Sequence, residues 1–152
     1  MSMVLDRFAL DWVVVIDHII TLGIAYVLAL PIAYNREKSE RTAGLRTFPL
    51  VAVAACGYML TGFQLLSTSD GEARVIQGLL TGIGFIGGGA ILKRDGGIVQ
   101  GTATAASLWM TGAIGVSVAG GRLEIAVLLS LITVSTLLLL QPVKEEINGD
   151  DG

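Results

Sequence analysis

The sequence predicts an all-α protein: a polytopic membrane helix bundle with five transmembrane helices. Three observations lead there. Of its 152 residues, 53% are hydrophobic and only 15% are charged, and the mean hydropathy is +0.72. The charges gather in short polar breaks, NREKSERTAGLR, STSDGEAR, KRDGGIVQ and GGR, as expected when hydrocarbon is the solvent for the rest of the chain. Between the breaks lie five apolar runs, each near the ~20 residues that a helix needs to cross a bilayer core of about 30 Å. The runs cover residues 13–34, 47–66, 74–92, 101–120 and 123–141. Backbone groups left unpaired in hydrocarbon are costly, and the shorter alternating segments of a β-barrel are absent, so each run is expected to be a helix.

Taken in order, the first run is bracketed by Trp12 and Tyr34, which suit the headgroup layer. The preceding MSMVLDRFALDW has neither the basic start nor the small-residue cleavage site of a signal peptide, so this run is expected to be a retained span. The second opens with Thr47 as a cap and Pro49 in its first turn. The third and fourth are less apolar and rich in glycine, alanine and threonine; the fourth is expected to start near Gly101, with Thr102 or Thr104 capping it. The fifth, LEIAVLLSLITVSTLLLLQ, is the plainest. Residues 1–142 form one transmembrane domain on this reading, and 143–152, acidic and short, a solvated tail.

Lysine and arginine set the orientation. The loops after the first and third runs, with the C-terminus, hold Arg36, Lys38, Arg41, Arg46, Lys93, Arg94 and Lys144, against Arg7, Arg74 and Arg122 on the other side. The richer side is expected in the cytoplasm, with the N-terminus outside and the C-terminus inside.

Thirteen of the twenty glycines fall between Gly78 and Gly121, and their purpose decides the functional reading. Gly82, Gly84 and Gly87 fit the G-x-G-x-x-G spacing of a dinucleotide fingerprint. That motif needs a strand before it and an acid about 20 residues later, and neither is here. In lipid, small residues instead let helix backbones approach closely. Gly78 with Gly82, Gly84 with Gly88, and Gly112 with Gly115 read as such packing pairs, and Trp109 as an indole lodged between helices. A local break at Gly87-Gly88-Gly89 is the other reading, because glycine weakens a helix by about 1 kcal/mol each against alanine, and broken helices serve transport.

Three blocks resemble the membrane domain of the MgtC/SapB family of bacterial inner-membrane proteins. Arg36 is followed by Ala43-Gly44-Leu45-Arg46-Thr47 and Leu50-Val51. Gly82-Ile83-Gly84-Phe85-Ile86-Gly87-Gly88-Gly89 precedes Lys93-Arg94. Gly101 leads to Thr104-Ala105-Ala106-Ser107-Leu108-Trp109 and Gly115. Together they cover about residues 30 to 120. The family usually has glutamate where this chain has Asn35 and commonly histidine where it has Phe48, with Glu37 placed to take up part of the acid's role. Ending soon after the fifth run, the chain resembles the short form, without a soluble C-terminal domain. The resemblance implies a five-span topology, a part in adaptation to low magnesium and stress, and regulation of other membrane machinery.

Candidate sites follow. At the start of the fourth run, Thr102 and Thr104 meet a helix dipole's positive end at the depth of Arg36, Arg46, Lys93 and Arg94, a setting for an anionic headgroup or a partner's carboxylate or phosphate. The plain alternative is that these cations only fix topology. Asp17, beside His18, lies about 7 Å into the first run at 1.5 Å per residue, where it either contacts a cation or rests among headgroups. No cofactor, metal cluster or nucleophile–base pair is legible, and the net charge of −3 argues against nucleic acid. The lone Cys56 reads as buried filler. The expected partners are the lipid bilayer and either another copy of the chain or another membrane protein. The leading functional expectation is a non-enzymatic regulator or adaptor; the alternative is a small channel or transporter for magnesium or another ion, and a membrane enzyme comes third.

Overall fold

In the computed structural model, residues 10–38, 43–93 and 99–149 are described, with side chains described as far as Gln141. The described residues form five helices: α1 (Trp12–Lys38), α2 (Thr47–Leu65), α3 (Ser69–Gly89), α4 (Thr102–Ala119) and α5 (Leu123–Gly149). Between α3 and α4, β1 (Leu92–Lys93) and β2 (Val99–Gln100) pair antiparallel, Leu92 opposite Gln100 and Lys93 opposite Val99. Four helices are long and apolar enough to cross a membrane. The fifth, α3, carries Asp70, Glu72 and Arg74 near its start, which lowers the hydropathy of an otherwise apolar helix.

The helix ends differ instructively from the sequence reading. Helix α3 starts five residues before the expected 74, because Thr68 caps it, its Oγ1 accepting from the Gly71 N–H at 3.2 Å. Asp70 and Glu72 then face the positive end of the helix dipole, where negative charge is favourable. Helix α2 is not capped by Thr47. Its residue before the first turn is Arg46, without a side-chain cap, and the Gly44 carbonyl accepts from the N–H groups of Thr47 (3.0 Å) and Phe48 (3.2 Å). Neither Thr102 nor Thr104 caps α4. The capping position is Gly101 at φ 95, where any Cβ would run into the Ala90 carbonyl. The small hairpin folds the chain back onto the end of α3, and only glycine fits that crossing.

The centre of the bundle is the α2–α4 pair. A Cβ on Gly115 would collide with the Ala52 carbonyl and come within 2.9 Å of the Ala55 Cβ, so the two backbones are in contact. Helix α1 covers this pair with one small-residue face, Ala25, Ala29, Ile32 and Ala33, spaced as one side of a helix requires. Phe48, Met59, Leu108 and Ile114 fill the interior. Helix α5 closes the bundle through Ala126, Ser130, Thr133 and Leu137. The Ser130 hydroxyl donates to the Leu28 carbonyl of α1 at 2.8 Å. That carbonyl lies in the turn before Pro31, whose missing N–H leaves the neighbouring Val27 carbonyl without its helical donor. Outward, the side chains are apolar: Phe85 is 86% exposed, and Val13, Leu139 and Leu65 are similarly uncovered. This inversion of the soluble pattern is what a lipid-facing surface demands.

Candidate functional site

The end of α1 and the residues leading into α2 carry several polar contacts. Arg36 ends the buried face of α1 and is itself 5% exposed. Its Nη2 and Nε donate to the Asn35 Oδ1 at 2.6 and 3.2 Å, and these are not the pair's only polar contacts. The amide thus does, for the guanidinium, part of what a carboxylate at residue 35 would do, without the charge. Glu37 has a separate task. Its Oε2 accepts from the Leu45 N–H at 3.0 Å and lies where a Gly44 Cβ would be. Glycine at 44 is therefore a space requirement, and the carboxylate holds the chain at its entry into α2. Phe48 fully fills a core position.

The other residues expected at this end fall into two groups. Thr104 is buried, 1% exposed, and its Oγ1 has no hydrogen-bond partner among the described residues. It begins a row of hydroxyls on the buried face of α4, continued by Ser107 and Thr111, each donating to a carbonyl four residues back (2.7 and 2.8 Å). Arg46, Lys93 and Thr102 are exposed. Arg94 lies outside the described residues, as do Arg7 and Arg41. A buried arginine and a buried hydroxyl without a partner among the described residues thus lie on helix ends that the chain order puts on the same side as the exposed Arg46 and Lys93.

Asp17 is exposed on α1, and its carbonyl accepts from the Thr21 hydroxyl at 2.9 Å. The adjacent His18 Nε2 is 3.2 Å from the Nε2 of Gln64, the second-last residue of α2, which ties this turn of α1 to the end of the bundle rather than its middle. Among the described residues no group of three or more His, Cys, Asp or Glu side chains is placed to hold a metal ion.

The glycines divide as well. Gly112 faces Ile83, whose Cδ1 occupies the space of the missing side chain; Gly115 faces α2 as described. Gly84 lies 3.8 Å, measured from its Cβ position, from the half-exposed Trp109 ring. Gly87, not among the packing pairs expected from spacing, also faces α4, its Cβ position 3.6 Å from the Ala105 carbonyl. Gly78, Gly82 and Gly88 meet nothing within 4 Å inside the chain. Gly78 and Gly82 instead open onto a groove between α2 and α3, a feature with no signature in the sequence beyond the glycines themselves.

Residues 22–146 match the MgtC family. An uncharacterized protein of Synechocystis sp. is 34% identical over 132 residues, covering 87% of this chain and 56% of the relative. Protein MgtC of Salmonella typhimurium is 34% identical over 131 residues, 86% of this chain and 55% of its own length. Protein MgtC of Brucella abortus is 36% identical over 118 residues, 78% and 49% respectively. The chain spans about half the length of these curated relatives. No solved structure matches it. The match runs from the middle of α1 into α5, so it takes in the Arg36–Gly44 connection, the glycine-rich contact of α3 with α4 and the buried row on α4 alike. This multi-pass helical membrane protein belongs to the MgtC family.

Proposed function

We propose that the chain is a non-enzymatic regulator or adaptor in a bacterial inner membrane, serving adaptation to magnesium limitation and stress by contact with other membrane machinery. The observation that carries this reading is the continuity of α3. It stays helical through Gly87, Gly88 and Gly89, and Gly84 and Gly87 of its second half lie against α4. A pathway built on a discontinuous helix would use such a run to free backbone carbonyls for an ion; here the run opens with a glycine that serves approach between helices. The contact point is the end of the bundle where Arg36 is buried and Arg46, Lys93 and Thr102 are accessible, a setting suited to a partner's carboxylate or phosphate. Arg36→Ala and Arg46→Ala are expected to abolish complementation of a deletion strain at low magnesium while the protein stays at its normal level in the membrane. Full complementation by both variants would remove this contact from the account.

A second reading, a small channel or transporter for magnesium or another ion, draws on the buried hydroxyls Thr104, Ser107 and Thr111 along one face of α4. Ion flux through liposomes containing the purified protein separates the two: the regulator predicts none above protein-free vesicles.

A further inference from the structure

The groove between α2 and α3 has a volume of about 450 Å³. Its origin lies in how α3 is shared between two neighbours. Near the α2–α3 turn the helices touch, Val75 lying 3.5 Å from the Cβ position of Gly62. Further along, α3 turns its contacts to α4, through Ile83 on Gly112 and Gly87 on Ala105, and leaves α2 behind. Val51, Ala54 and Tyr58 form one wall, and Gly78 and Gly82, with no side chains to fill the gap, form the other. Apart from the Tyr58 hydroxyl and Arg74, the lining side chains are apolar. Arg74, exposed at the turn end, carries the groove's only charge and makes no hydrogen bond or ion pair among the described residues.

From Arg74 to Ile86 the α3 wall runs about 18 Å at 1.5 Å per residue, a little more than half of a hydrocarbon core of about 30 Å. The slot is thus one leaflet deep, hydrocarbon-lined, and cationic at the headgroup level. We propose that it is a binding site for one anionic phospholipid, an acyl chain lying along Gly78 and Gly82 and the phosphate held by Arg74. A zwitterionic lipid can fill the same slot, but it gains less from an unpaired guanidinium at the membrane surface. The proposal stands apart from the regulator reading, since it concerns binding alone.

A single-tryptophan protein tests it: Tyr58→Trp, with Trp12→Phe and Trp109→Phe, reconstituted in phosphatidylcholine vesicles. Brominated phosphatidylglycerol and brominated phosphatidylcholine, at equal mole fraction, then act as quenchers. The expected result is about fivefold stronger association of the anionic lipid, lost in Arg74→Gln and retained in Arg74→Lys. Gly78→Leu, which fills the groove at a position with free space, is expected to reduce quenching by both lipids without altering the circular dichroism spectrum. Equal quenching by the two headgroups, or a preference that survives Arg74→Gln, would mean ordinary bulk lipid and overturns the site. So does an indole at position 58 that is shielded from both lipids in a protein migrating as an oligomer, which would place another copy in the slot.

Discussion

Two glycine pairs at similar helical spacing, Gly78 and Gly82 on α3 and Gly112 and Gly115 on α4, stand in opposite surroundings. On α4, Gly112 and Gly115 are pressed against a side chain and a backbone carbonyl, and neither has room for a methyl group. On α3, Gly78 and Gly82 have empty space around them. A small residue permits close approach but does not compel it; whether the approach happens depends on which neighbour the helix faces. The difference is open to direct attack by substitution. The largest effect is expected at Gly115→Val, where the obstruction is the fixed Ala52 carbonyl of α2: a loss of about 3 kcal/mol or more, at the upper end for overpacking, read as loss of the thermal unfolding transition in detergent. An unchanged midpoint would mean that the central pair does not pack as described. Gly112→Ala meets only the movable tip of Ile83, so about 1 kcal/mol is expected. Ile83→Val, which removes that tip, should recover part of the loss in the double variant, a non-additivity that contacting residues show. The smallest effect, and the reverse sign, is expected for Gly78→Ala and Gly82→Ala. Each gains up to about 1 kcal/mol of helix propensity with nothing to strike. A drop in stability or a shift in oligomeric state there would show that this face is covered by another chain after all.

Much of the fold is legible because lipid imposes a simple rule on the sequence. Apolar runs mark spans, and α2, α4 and the start of α5 fall within a residue or two of their expected bounds. The rule fails where helical hydrogen bonding and hydropathy part company. At Ser69–Glu72 the helix is held by the Thr68 cap and by acids near its dipole, and none of these residues is apolar. The β1–β2 hairpin is invisible for a similar reason, since KRDGGIVQ reads only as a polar break. At the candidate site, the residue types were legible but their environments were not. Arg36 and Arg46 look alike in the sequence, yet one is buried against Asn35 and the other is exposed. The hold of Glu37 on Leu45 joins residues eight apart across a loop, a distance at which no local spacing rule applies. Nor does any pattern reveal that Thr104 lacks a partner among the described residues, because that depends on what the helices around it fail to offer.

The bond from Ser130 to the Leu28 carbonyl has a consequence for biosynthesis. It joins positions 102 residues apart, the first of the five helices to the fifth. A ribosome delivers the proline-bearing segment into the bilayer long before the serine exists, so the turn around Leu28 must wait, with its neighbour at Val27 short of a donor, until the segment carrying Ser130 has been made and inserted. Of the five helices, the first to be made is therefore among the last to reach its final shape.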